Sequence, residues 1–163
     1  HLPASESAMK LFTDPAMKHF YYNLSSDVGP GKPNAADDVE FVRLGLRNMR
    51  SALERRGRWN DAGLAEFRGL QETLSTTGGF DDTLGRAIRS LQEGMGGRVA
   101  DGVCSAMPPG RVRLADGKMM MCAGLQTELR NSNAAIWPRM DRITGCGPAL
   151  AATVREMFGL NLN

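Results

Sequence analysis

The chain has 163 residues, 42% of them apolar, and its 20 basic and 18 acidic side chains leave a formal net charge of +2. That much apolar matter suffices for a buried core and argues against wholesale disorder, in a length that fits one domain with or without extended flanks. A balanced charge supplies no basic face for counterion release, so nucleic acid is a poor partner, and no apolar run approaches the ~20 residues that span a bilayer, so membrane insertion is not expected.

Residues 1–24 form an aromatic arm carrying Leu11, Phe12, Met17, Phe20, Tyr21 and Tyr22, which must pack on its own domain or on a neighbouring subunit. Asp14-Pro15 has the order of a helix opening, an Asp N-cap followed by Pro at the first helical position. The start shows no basic segment leading into an apolar one, hence no signal peptide, and His1 points to an expression remnant or a chain cut from a longer one. Residues 25–36 are a loop by their two prolines and two glycines. A helix is expected from Asp37, with Glu40 at the capping-box spacing. Val39, Val42, Leu46 and Met49 share one face, widened by Phe41 and Leu44, and the helix is expected to run to about Arg55 and stop at Gly57.

A second helix opens at Asn60 or Asp61 with the period Leu64, Phe67, Leu70, Gln71, Leu74, and stops in Ser75-Thr76-Thr77-Gly78-Gly79. A third opens at Asp81 or Asp82, buries Leu84, Ala87, Ile88 and Leu91, and breaks at Gly94, Gly96 and Gly97. The strings Phe67-Arg-Gly-Leu-Gln-Glu72 and Ile88-Arg-Ser-Leu-Gln-Glu93 are alike, but shared amphipathicity accounts for them without a repeat. Residues 98–117 are irregular, with turns at Asp101-Gly102 and Asp116-Gly117 and room for short extended pieces near Val99, Val103 and Val112. Residues 118–131 are expected to be helical through Met121, Leu125 and Leu129. Pro138 limits Asn133 to Arg139 to a short turn, and a last helix starts at Pro148, buries Leu150, Val154, Met157 and Phe158, and ends at Gly159. No period-two pattern occurs, so the expected fold class is all-α, a small helical bundle.

Within this frame, one stretch is informative: Gly79-Phe80-Asp81-Asp82-Thr83-Leu84-Gly85-Arg86-Ala87-Ile88-Arg89-Ser90-Leu91-Gln92, followed by Arg98-Val99-Ala100-Asp101-Gly102-Val103. Upstream, Asn34-Ala-Ala-Asp37-Asp38-Val39-Glu40-Phe41-Val42-Arg43-Leu44 follows a Gly/Pro-rich loop, and downstream comes Met107-Pro108-Pro109-Gly110. In order and spacing these strings resemble the peptidoglycan-binding-domain-like family. There, a Gly-aromatic-Asp entry leads into a helix ending in an aromatic-Gln pair, then a glycine-rich turn and a D-G-V segment. The resemblance spans roughly residues 28–110. This chain differs in having Leu91 where the family often has Phe, and an added helix within 57–78.

The resemblance implies an N-terminal arm at 1–27, a helical core at 28–117 and a helical extension at 118–163 packed on it. It also implies a non-catalytic cell-wall-binding-like module that attaches or spaces within a larger assembly such as a virion or secretion apparatus. Peptidoglycan or another cell-surface polymer would be the ligand, protein neighbours the other partners, and a virion, extracellular or periplasmic location is favoured over a cytoplasmic one. The binding residues expected are Trp59, Phe80, Gln92, Arg98 and Asp101. The alternatives are a purely structural interaction subunit and an accessory part of a cell-wall hydrolase. The matching residues also have fold-making roles: an Asp81 or Asp82 cap, inward Ala87, Ile88 and Leu91, Gln92 bonded to turn backbone, and positive φ at Gly102.

Catalysis and cofactors find little support. His1 and His19 are the only histidines, and Cys104, Cys122 and Cys146 form no C-x-x-C pair, so neither zinc nor a Cys-His nucleophile is expected. The cysteines read as reduced and mostly buried. Glu40, Glu54, Glu66, Glu72 and Glu93 read as helix surface rather than as a glycosidase pair. The Asp-Gly pairs lack the spacing of a calcium loop. Trp59 and Trp137 are read as core aromatics with sugar stacking as the alternative. Arg47, Arg50, Arg55, Arg56 and Arg58 read as a solvated helix end.

Overall fold

The computed structural model describes residues 8–14, 16, 18–50, 60–95 and 99–159. In chain order the elements are β1 (Lys10–Thr13), β2 (Phe20–Asn23), α1 (Ala36–Asn48), α2 (Asp61–Thr73), α3 (Asp82–Gly94), α4 (Met121–Ser132), a single 3-10 turn (Met140–Arg142) and α5 (Pro148–Met157). The protein is mostly helical with a small two-stranded sheet, which corrects the all-α expectation. The strands pair antiparallel, Lys10 opposite Asn23 and Thr13 opposite Phe20. Asp14 closes this hairpin instead of opening a helix. Its N–H donates to His19 O at 3.0 Å, its C=O accepts from Lys18 N at 2.7 Å, and its carboxylate accepts from Ala16 N at 3.1 Å. Aspartate supports a turn or a cap by the same local side-chain bond, so sequence alone does not separate the two.

Phe20-Tyr21-Tyr22 evades a period-two reading because both tyrosines are fully buried. Tyr21 stacks on Phe12, with ring centroids 6.0 Å apart, and Tyr22 meets Trp137 edge-on at 5.8 Å. The far edge of β2 is completed by a side chain: Gln126 of α4 accepts from Tyr22 N and donates to Tyr22 O, both at 2.8 Å. Among its described residues, the aromatic arm therefore packs on its own domain through Met9, Tyr21, Tyr22 and Leu24.

α1 is the axis of the molecule, with every residue from Asp38 to Leu46 buried. α4 and α5 flank it, α2 and α3 pair with each other against it, and β2 lies on α4. A helix covered all round must find partners for its polar groups within the protein, and α1 does so by tethering three other segments, with Arg43 Nε alone among these side chains left without a hydrogen-bond partner. Asp38 accepts from Ser25 N at 3.0 Å and from the Ser25 hydroxyl at 2.5 Å. Glu40 accepts from Leu150 N at 2.9 Å, the third residue of α5, and so caps that helix. Arg43 holds the loop before α3. Glu40 is thus neither a surface residue nor part of a capping box; α1 begins after Ala35 with no side-chain cap.

α1 also ends sooner than expected, at Met49 with extended backbone. Its last turn is fixed by α2, since Gln71 Nε2 donates to Leu46 O at 2.7 Å and Met49 O at 2.6 Å. α2 is capped by Asn60, whose side chain accepts from Gly63 N at 2.8 Å. α4 and α5 start near the expected places, with Pro148 in the first turn of α5. One apolar core runs from Met9 and Tyr21 through α1 to Leu150 and Val154.

Candidate functional site

The amino end of α3 is where the structure gathers surface groups around an aromatic ring. Asp81 is the N-cap, accepting from Leu84 N at 2.8 Å. The loop ahead of it is pinned from beneath by Arg43, which donates to Gly79 O at 2.6 Å and Ser75 O at 3.1 Å and pairs with Asp81 at 3.1 Å. Phe80 stands between these two anchors, so its position is set from both sides. The tip of its ring abuts Gly85, where a β-carbon would come within 3.0 Å of Phe80 Cζ.

Two shallow hollows meet at Phe80 and Asp81. One, of about 270 Å³, is polar, with Ser75, Thr77 and Thr83 around Arg43. The other, of about 330 Å³, is floored by Phe80, Pro30, Gly85 and Gly102 and rimmed by Asp82, Arg86 and Arg89.

The D-G-V turn touches the second hollow through Gly102. Gln92 accepts from Gly102 N and donates to Val103 O, both at 2.9 Å, and reaches Asp101 at 3.2 Å. Gly102 has φ +75°, and a β-carbon there would sit 3.2 Å from Gly85 O, so the turn backbone lies directly on α3. Asp101 accepts from Val103 N at 3.0 Å, and that bond, with Gln92, holds its carboxyl below the ordinary carboxylate range. The fold-making roles expected of Asp81, Gln92 and Gly102 are all present, as is burial of Ala87, Ile88 and Leu91.

Of the expected binding residues, Phe80 lines both hollows, while Gln92 and Asp101 meet each other in the turn clamp. Trp59 and Arg98 lie outside the described residues. Arg43, Arg86 and Arg89 were not singled out from the sequence. Arg86 and Arg89 carry a signal in retrospect, being three residues apart on the polar face of α3; Arg43 carries none, because its role depends on a loop that arrives from elsewhere in the chain.

The remaining candidates have structural occupations. Trp137 is half-buried and donates to Phe20 O at 3.2 Å. Arg47 donates to Gln71 O and Glu72 O, each at 3.0 Å, at the carboxyl end of α2, which replaces a freely solvated helix end with a cation on the neighbour's dipole. Arg55, Arg56, Arg58 and Glu54 lie outside the described residues, and Glu66, Glu72 and Glu93 are exposed. Cys104, Cys122 and Cys146 are free thiols, the first two buried. Among the described residues no group of three or more His, Cys, Asp or Glu side chains is placed to hold a metal ion, and no helix is long and apolar enough to cross a membrane.

No family model matches the chain, and no curated protein or solved structure gives a significant match.

Proposed function

We propose that this chain is a non-catalytic, cell-wall-binding-like module that attaches or spaces within a larger assembly such as a virion or secretion apparatus. Peptidoglycan or a related surface glycan would be its ligand. The observation that carries the reading is Phe80, a half-buried aromatic ring fixed on both sides and flanked by hollows rich in hydroxyl, guanidinium and carboxylate groups. A sugar offers an apolar C–H face and a polar edge, and an aromatic ring beside convergent polar groups matches both. The ordered strings from Asn34 to Val103 support the same reading through their resemblance to the peptidoglycan-binding-domain-like family.

Co-sedimentation with purified sacculi tests it. The full chain is expected to be retained, and Phe80→Leu, which keeps apolar volume but loses the flat face, is expected to weaken retention severalfold with an unchanged circular dichroism spectrum. Failure of the folded wild-type chain to co-sediment would remove the glycan ligand and leave a protein-interaction subunit. Release of reducing ends from the sacculi would instead favour an accessory hydrolase role.

A further inference from the structure

The hollow on the Arg86 side carries an inference that rests on the proposed glycan reading and narrows it. Arg86 and Arg89 both border this hollow, and residues three apart on a helix project from one face. Both are exposed, and among the described residues neither guanidinium has an ion-pair partner. The acids bordering the hollow are Asp81 and Asp82. Asp81 is committed to the buried Arg43 and to the Leu84 N–H, so its charge is offset from behind. Two arginines then face the single free carboxylate of Asp82, leaving the hollow positive by one charge. The amino end of a 13-residue helix adds partial positive charge to the same place.

The floor differs in character from the rim. Phe80, Pro30, Gly85 and Gly102 supply an apolar surface, closed where the Gly102 backbone approaches Gly85 O so nearly that a β-carbon there would lie 3.2 Å from it. A volume of about 330 Å³ lies at the small end of ligand pockets, roughly 300–1,000 Å³, suited to one ring with a substituent rather than to a long chain. Guanidinium groups bind carboxylate and phosphate through paired, directional N–H bonds, which a neutral hydroxyl edge does not exploit.

We infer that the glycan taken at this site is an acidic one, with the sugar ring on Phe80 and Pro30 and its carboxylate or phosphate held between Arg86 and Arg89. Asp82, on the same rim, would disfavour a second negative group.

Calorimetry on the full chain tests this, using the N-acetylglucosaminyl-N-acetylmuramic acid disaccharide as free acid and as methyl ester, with a glycerol phosphate oligomer as a third probe. Wild-type protein is expected to bind the free acid about tenfold more tightly than the ester at low salt. Arg86→Gln/Arg89→Gln is expected to bring the two within about twofold by weakening binding of the free acid; its circular dichroism spectrum reports folding. Arginine-dependent tightening for the phosphate oligomer in place of the muramic acid would support the acidic site and assign the acid group as phosphate. Equal affinity of wild type for acid and ester, without phosphate binding, would overturn the inference and spare the glycan reading. A preference that survives the double substitution would also overturn it. Binding of no probe, together with no retention on sacculi, would overturn both.

Discussion

At the scale of single residues, side-chain amides do work that backbone usually does. Gln126 completes the edge of β2, Gln92 holds the D-G-V turn, and Asn23 closes a reciprocal pair with Met107, donating to its C=O and accepting from its N–H, both at 2.8 Å. Two carboxylates have opposite electrostatic fates. Burial pushes the Asp38 carboxyl above its ordinary value of 3.8, outweighing the bonds from Ser25 and Ser26. Burial would push Asp141 the same way, but its bidentate pair with Arg139, at 2.9 and 2.7 Å, brings it below 3.8.

Linkage gives each a sign. Between 3.8 and its raised folded value, Asp38 holds more proton in the folded state, so its contribution is present at lower pH and is lost as pH rises. Asp141 contributes stability above 3.8 that is lost as pH falls through its depressed folded value. Urea unfolding across about pH 2.5–6 should therefore show that Asp141→Asn flattens the acid-side loss of stability and Asp38→Asn does not. Burial also raises all three thiols, Cys122 and Cys146 to about 12 and Cys104 well above its ordinary value. Iodoacetamide at pH 8 should leave Cys104 and Cys122 unmodified in the native chain, react slowly with half-buried Cys146, and label all three in denaturant.

At the scale of elements, the meeting of α1 and α5 is the tightest feature. Glu40 reaches under the amino end of α5, where a carboxylate is favoured by unpaired N–H groups and by the helix dipole. The approach leaves no room at Gly147, where a β-carbon would lie 2.3 Å from Glu40 Cδ. Gly147→Ala is expected to cost about 2 kcal/mol by displacing the buried Glu40 carboxylate from the Leu150 N–H. The same substitution in a Glu40→Ala background should cost distinctly less, a non-additivity that a double-mutant cycle by urea unfolding measures. The similar strings in α2 and α3 have a comparable explanation at this scale. Each buries the hydrophobic pair Phe67/Leu70 or Ile88/Leu91 and then uses the following glutamine to hold backbone outside its own helix. A shared local task accounts for the likeness.

At the scale of the molecule, the N-terminal hairpin belongs to the core. Met9, Tyr21, Tyr22 and Leu24 are buried, and β2 rests on α4. Burial of Met9 and Leu24 alone is worth about 3–6 kcal/mol, a large share of the 5–15 kcal/mol by which a domain is typically stable. A chain lacking residues 1–24 is therefore expected to lose its cooperative thermal transition by circular dichroism. If it instead remained a folded monomer with an unchanged melting curve, the hairpin would be an appendage.

The sequence by itself determined the helices whose signals are local. Asn60 and Asp81 cap by bonds within one turn, Pro148 suits a first turn, and the stripe Leu84, Ala87, Ile88, Leu91 is periodic along a single surface. The same local chemistry made the Asp81–Gln92–Gly102 arrangement legible, because its partners lie within about one helix and one turn of each other. Tertiary structure alone decided the rest. It made Asp14 a hairpin turn, ended α1 at Met49 against Gln71, buried Glu40 beneath α5, and set Arg43 under the loop that presents Phe80. Each of those outcomes is an interaction between segments distant in the chain, and a buried charged side chain has the same letter as an exposed one. Only the partner that satisfies its hydrogen bonds distinguishes them.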